Sequence, residues 1–341
     1  MPLRAKDIAK MLGVSTSTMS LVINNKPGVS DAKRAEIIQK IRELDCGHLL
    51  RETSAQRASI GFVVYKRKGN IVDESPFFSY FLEGITERLK SRDYSLTVLY
   101  MSSAMPASEQ ASVLRNSKCV GFIIFAVEMI YEDLQAFKAS HYPFVVLDNS
   151  FSVNDVDTVS INNFSGIRSA VSYLARRGHS KIGYIRSRVG INSFSDRFAA
   201  YKLSLEAFSL PFDERYVATV GYSDFEARQG MYDYIQSSEE LPTAFVSDND
   251  LIACGALKGI QDAGLEVPRD ISLIGFDDRP ISSMSDPTIS TMMVPKDEFG
   301  NNCVDLLLDK IATKRNYAVK IEIGTILVER ESVCSRESNN G

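Results

Sequence analysis

The sequence predicts an α/β protein carrying a small all-helical head at its N-terminus. Three observations predict it. The first 45 residues hold three short helical patterns, the texture changes at Ile60, and from there short apolar runs alternate with helical patterns to the end. With 341 residues, 44% hydrophobic and 24% charged, the chain suits a small head and a sizeable globular body.

In the head, Ile8, Ala9, Met11 and Leu12 give the first helix an apolar face, and Gly13 ends it. Ser15 is the expected N-cap of a second helix, Thr16 to about Asn24, with Met19, Val22 and Ile23 at helical spacing. Asn24-Asn25-Lys26-Pro27-Gly28 is a turn by composition. Ser30 is the expected cap of a third helix whose stripe is Ala35, Ile37, Ile38, Ile41 and Leu44. The tight turn Leu12-Gly13-Val14-Ser15 between the first two helices is the helix-turn-helix signature. The head spans 1–45, a polar and charged linker 46–58, the body 59–335 and a polar tail 336–341.

In the body, strands are expected at Ile60–Val64, Leu96–Tyr100, Val120–Phe125, Phe144–Leu147, Ile182–Ile185, Ala244–Ser247 and Ile271–Phe276. Helical patterns at Phe81–Leu89, Ile167–Leu174, Arg197–Ala207 and Ala253–Ala263 separate them. Such alternation implies parallel sheets built from βαβ units. The length of the region implies two similar subdomains with a cleft between them.

Charge is divided unevenly. Residues 1–57 contain ten Lys/Arg and six Asp/Glu, a net +4, which leaves −8 for the rest of the chain. A basic head on an acidic body attracts phosphates locally. The five cysteines are far apart and the three histidines show no metal-ligand spacing, so no metal or cofactor is implied and the thiols are expected to be free. There is no long apolar run, and the N-terminus turns amphipathic at once. A cytoplasmic protein without membrane spans is expected.

A recognition helix needs short donor and acceptor side chains where it enters the major groove. Thr16, Ser17, Thr18 and Ser20 provide them. The run Lys6-Asp7-Ile8-Ala9-Lys10-Met11-Leu12-Gly13-Val14-Ser15-Thr16-Ser17-Thr18-Met19-Ser20-Leu21-Val22-Ile23-Asn24-Asn25-Lys26-Pro27-Gly28-Val29-Ser30 resembles the head of the lac repressor/purine repressor family. The resemblance implies base contacts from Thr16 and Ser17, with Ser15, Thr18, Ser20 and Asn24 contacting or orienting the backbone. Leu21 stands where the family usually has Arg or His. It can touch a thymine methyl but cannot read guanine. The linker lacks the family's Tyr-x-Pro-Asn segment, and Ala55 stands where a wedge leucine is expected. A methyl group cannot unstack a base step as leucine does. Leu49 or Leu50 could substitute, although packing between head and body suits them better.

The resemblance extends over the body. It implies a two-lobed, periplasmic-binding-protein-like (type I) architecture with three crossovers. Lobe 1 would hold about 59–161 and 291–320, and lobe 2 about 162–290 and 321–335. The signposts are Leu147-Asp148-Asn149, Arg177–Ile185, Arg197–Tyr201, Asp248-Asn249-Asp250 and Pro268–Asp278. Ligands in open α/β sheets bind at the carboxyl ends of strands. The candidate ligand residues are Arg197 as a planar clamp, Asp148 and Asp277 as acceptors, Asn249 as donor and acceptor, and Phe77 and Phe78 at the cleft mouth. Phe225 is favoured over Tyr222 for the opposite wall, while Phe77 and Phe78 also suit the core. No nucleotide-binding or nucleophile-elbow motif occurs.

The expectation is therefore a ligand-responsive, sequence-specific DNA-binding regulator, a repressor acting as a homodimer on a near-palindromic double-stranded operator. Its effector would be a sugar, with a nucleobase or sugar phosphate next. A solute-binding protein is the alternative, opposed by the head.

Overall fold

The computed structural model describes residues 4–24, 26–44, 46, 49, 57–69, 71–73, 78–151 and 155–336. The chain divides into two units, residues 1–58 and 59–341.

The head forms α1 (Ala5–Met11), α2 (Thr16–Ile23) and α3 (Asp31–Glu43). Gly13 takes φ 64°, a left-handed conformation that a glycine adopts without penalty, and so lets α2 follow α1 closely. Ile8, Ala9, Met19, Val22, Ile37 and Ile41 make the core. Two expectations are corrected. Met11 is 59% exposed, because the last turn of α1 carries it off the apolar face. Cys46 and Leu49, assigned to the linker, pack in this core, and the Cys46 amide donates to Ile41 O at 3.0 Å. Leu50 and Ala55 lie outside the described residues.

The body runs β1 (Ser59–Lys66), α4 (Ser79–Lys90), β2 (Ser95–Ser102), α5 (Ala107–Asn116), β3 (Cys119–Phe125), α6 (Gln135–Ser140), β4 (Phe144–Leu147) and β5 (Thr158–Ile161). The chain then crosses to α7 (Asn163–Arg176), β6 (Ile182–Ser187), α8 (Asn192–Ala207), β7 (Val217–Val220), α9 (Asp224–Ser237) and β8 (Ala244–Ser247). It continues through α10 (Asp250–Asp262), β9 (Ser272–Asp277), α11 (Pro280–Met284), β10 (Ser290–Met293), α12 (Lys296–Thr313), β11 (Lys320–Ile323) and β12 (Ile326–Val328).

One sheet has the order β11-β5-β4-β3-β1-β2 and is parallel throughout. The other is β12-β10-β9-β8-β6-β7, parallel except for the β10–β12 pair. Alternation along β1 shows how the first sheet is covered. Ile60, Phe62 and Val64 enter one apolar cluster, and Val63 and Tyr65 enter another on the opposite face. Helices α4 and α12 pack together, with Phe81 and Phe299 stacked at 5.4 Å. In the second lobe α9 and α10 approach closely. A Cβ on Gly255 or Gly259 would come within 2.4 Å of the α9 carbonyls of Asp224 or Arg228.

The crossings follow β5, β10 and β11. Strand β10 belongs to the second sheet and β11 to the first, so the second and third crossings come a few residues later than the expected 291 and 321. The fold also reaches one residue into the expected tail, because the Arg336 amide donates to Arg177 O at 2.7 Å. No helix among the described residues is long and apolar enough to cross a membrane.

Candidate functional site

In the head, the Ser15 Oγ accepts the Thr18 amide at 2.9 Å, so Ser15 caps α2 as its position in the sequence requires. The Ser15 hydroxyl also lies 2.7 Å from that of Ser17 and 2.8 Å from that of Thr18. Thr16, Ser17 and Ser20 are exposed. Asn24 closes α2 by donating to Ser20 O at 2.9 Å and to the Ser20 hydroxyl at 3.3 Å. Leu21 is half-buried, and a Cβ on Gly28 would meet its Cδ1 at 3.3 Å, so part of its surface packs on the following turn.

In the body, the two sheets direct their carboxyl ends at a shared cleft. The first lobe lines it with Ile71, Phe125, Val127, Asp148 and Ile161. The second lobe contributes Ile191, Ser193, Phe194, Arg197, Tyr222, Asn249, Asp277 and Arg279. Strand ends deliver most of these side chains. Asp148 follows β4 at φ 62°, while Asp277 ends β9 at φ 101° and is followed by Asp278 at φ 51°. Side chains rarely adopt such φ values, and strain of this kind concentrates at binding sites.

Arg197 organises the second lobe's side of the cleft and is 3% exposed. Its Nε donates to Asn163 Oδ1 at 2.8 Å, one Nη to Asp248 O at 2.5 Å and the other to Asp277 Oδ1 at 3.3 Å. The guanidinium lies 3.7 Å over the ring of Phe276. Burial pushes the Asp148 carboxyl up to about 7, with Arg197 opposing the rise and Asp277 adding to it. At neutral pH that group can both donate and accept a hydrogen bond. Asp277 is likewise raised by burial, against the pull of Arg197, Arg279 and Lys296. Behind the cleft, Asp250 is fully buried and receives the Thr291 hydroxyl at 2.6 Å and the Arg279 amide at 2.7 Å. Burial lifts it to about 7 as well.

The structure brings Asp148, Arg197, Asn249 and Asp277 together at the cleft. Asn249 has a second task, since its Oδ1 accepts the Ile252 amide and caps α10. Two expectations fail. Phe225 is 72% exposed on the second residue of α9, where the helix turns it outward beside Arg228 and Tyr232. Tyr222, two residues after β7, forms the wall instead, with its ring 6.1 Å from Phe194. Phe78 packs into the core beneath the cleft, its ring 5.9 Å from Phe125 and 6.5 Å from Phe62. Phe77 lies outside the described residues. Phe125 and Phe194 went unrecognised. The signals were available: Phe125 ends its strand, and Phe194 precedes Arg197 by three residues on one helix face.

Comparison with known proteins agrees with both units. The family described as bacterial regulatory proteins, lacI family, matches residues 5–45, and a periplasmic binding protein-like domain matches 171–333. The chain is 31% identical over 337 residues to the HTH-type transcriptional repressor PurR of Edwardsiella ictaluri (strain 93-146), covering 96% of each chain. It is 32% identical over 336 residues to the protein of that name from Pectobacterium carotovorum subsp. carotovorum (strain PC1), again covering 96% of each. The fold matches a lac repressor dimer bound to operator and the anti-inducer ONPF, with TM-score 0.74 and 21% identity over 98% of this chain and 100% of that one. It also matches a CelR–cellobiose complex, with TM-score 0.72 and 22% identity over 97% and 100%.

A helix-turn-helix head on a two-lobed sensing body defines a ligand-responsive, DNA-binding transcriptional regulator, not an enzyme. The chain belongs to the lacI family of bacterial regulatory proteins.

Proposed function

We propose that the protein is a cytoplasmic repressor that senses a neutral sugar in its cleft and binds a near-palindromic operator as a homodimer. The carrying observation is the placement of two carboxyl groups, Asp148 and Asp277, beside the Arg197 fork in the cleft between the lobes. Carboxylates accept from vicinal hydroxyls, while Phe125, Phe194 and Tyr222 offer apolar surface to the C–H faces of a small ring. The complex of CelR with cellobiose supports a sugar as the class of ligand.

The test is a thermal-shift screen of the full chain against neutral sugars, purine bases and sugar phosphates, followed by calorimetry on the hits. A neutral sugar is expected to raise the melting point. Stabilisation by a purine or a sugar phosphate alone would overturn the reading.

For the head, we propose Ser15, Thr16, Ser17, Thr18, Ser20, Leu21 and Asn24 as the DNA-facing set. Thr16→Ala and Ser17→Ala are each expected to cost about 1–3 kcal/mol at the preferred base and to relax preference there. Selection from a random duplex pool measures this, and an unchanged preference would remove these residues from base reading. Pairing of two copies draws support from apolar side chains left exposed, Val98 and Tyr100 on edge strand β2 and Phe225 and Met284 in the second lobe.

A further inference from the structure

We infer that Asn192 is a positioning residue that holds the two lobes together over the cleft, acting through Asn149. Asn149 belongs to the first lobe and follows Asp148, one of the cleft's carboxylates. It is 4% exposed. Its Nδ2 donates to Ala126 O at 2.9 Å and Met129 O at 3.0 Å. Its Oδ1 accepts the Phe151 amide at 3.3 Å and, from the other lobe, the Nδ2 of Asn192 at 2.9 Å. Asn192 opens α8, immediately before Ser193 on the cleft wall. The bond therefore lies at the rim, between groups that flank the ligand space on both sides.

Chemistry fixes the direction of this contact. Turning the Asn149 amide over would set its oxygen against two carbonyl oxygens and leave its nitrogen facing a backbone N–H. Only an acceptor is thus offered across the gap, and residue 192 must donate. The two partners are also unequal. Asn149 is locked by its own lobe, while Asn192 is exposed apart from this bond. The bond can break when the lobes separate without disturbing either lobe's core. Elsewhere between the lobes, Lys296 Nζ at the start of α12 donates to Asp278 O at 2.9 Å, so loss of the Asn192 bond frees one side of the cleft only.

The role assigned to Asn192 in effector binding rests on the reading of the cleft as the sensing site, but its test needs no effector. Hydrogen–deuterium exchange is measured on the full chain, with no small molecule added, for the parent, Asn192→Gln, Asn192→Ala and Asn192→Asp. Alanine removes the donor. Aspartate replaces it with a carboxylate facing the Asn149 oxygen, and glutamine keeps an amide. Exchange at the cleft-wall segments 126–129 and 191–194 is expected to rise about three- to tenfold in the alanine variant, the range set by one hydrogen bond. It should rise further with aspartate and stay near the parent with glutamine, while the melting point holds. Unchanged exchange in the alanine and aspartate variants would overturn the inference. So would a rise spread over the whole body with a lower melting point, which marks a purely structural residue. Failure to find any sugar ligand overturns the reading of the cleft and leaves this measurement standing.

Discussion

Arg197→Ala is expected to lower the stability of the body by about 3–5 kcal/mol and to abolish the response to effector. The size follows from what the guanidinium holds. It is buried, and it supplies donors to Asn163 Oδ1, Asp248 O and Asp277 Oδ1, so its removal leaves three acceptors without those donors in a dry environment. It also withdraws the positive charge that opposes the rise of Asp148 and Asp277, so both carboxyls should move further toward the protonated form. Lysine cannot repair this, because an ammonium lacks the planar fork that reaches three acceptors and stacks on Phe276. Chemical denaturation measures the stability, and calorimetry with whichever sugar the screen yields measures the response. Operator affinity of the effector-free variant, assayed below its melting point, should stay within a few-fold of the parent. Equal loss of both functions would count against separate reading and sensing units.

The second large effect is expected at Glu128, which no motif marks. Its buried carboxylate accepts five backbone N–H groups: Arg67, Lys68 and Gly69 on one oxygen at 2.9–3.0 Å, and Ile71 and Val72 on the other at 2.7 and 3.2 Å. Among these, Ile71 lines the cleft, and so does Val127 beside Glu128. Burial pushes the carboxyl up, but the backbone donors outweigh it and hold the pKa below the ordinary 4.5. Glu128→Gln would set an NH₂ group against N–H donors and is expected to cost about 2–4 kcal/mol. The pH dependence has a definite sign. A carboxyl whose folded pKa is lowered stabilises fully above its unfolded value, and the contribution fades as pH falls through the folded pKa. The parent should therefore lose its advantage over Glu128→Gln as the pH is taken from 7 to below 4. Denaturation curves across that range decide it, and a difference independent of pH would show that the five donors do not act through the charge.

Much of the molecule was legible before any coordinates. The cap at Ser15 could be read because a hydroxyl before an apolar-periodic run serves the orphan N–H groups of its own helix, a local matter. The strands Phe144–Leu147 and Ala244–Ser247 could be read because parallel strands covered on both faces are continuous apolar runs. Strands β5, β7, β10, β11 and β12 escaped. They are short, and β11 alternates exposed with half-buried residues, which gives a weak signal.

The same division explains the cleft. Asp148, Arg197 and Asp277 could be placed at the cleft from sequence because each follows or faces a strand end, and the strand ends of the two sheets line that cleft. Phe225 and Phe78 were misplaced because rotation about a helix axis, or burial under a sheet end, decides which way a ring points, and neither is encoded within a few residues. Glu128 and Asn149 act through backbone groups far away in the chain, as Glu128 does with amides 56 to 61 positions before it.

The sequence by itself determined the two-part plan, the basic reading head, and the residue types of the sensing cleft, because these rest on composition, periodicity and local capping. Only the tertiary structure decided which aromatic rings face the ligand space, where the chain crosses between lobes, and which polar groups hold the cleft walls. Those outcomes depend on hydrogen bonds and packing between segments distant in sequence, whose partners are chosen when the two sheets assemble.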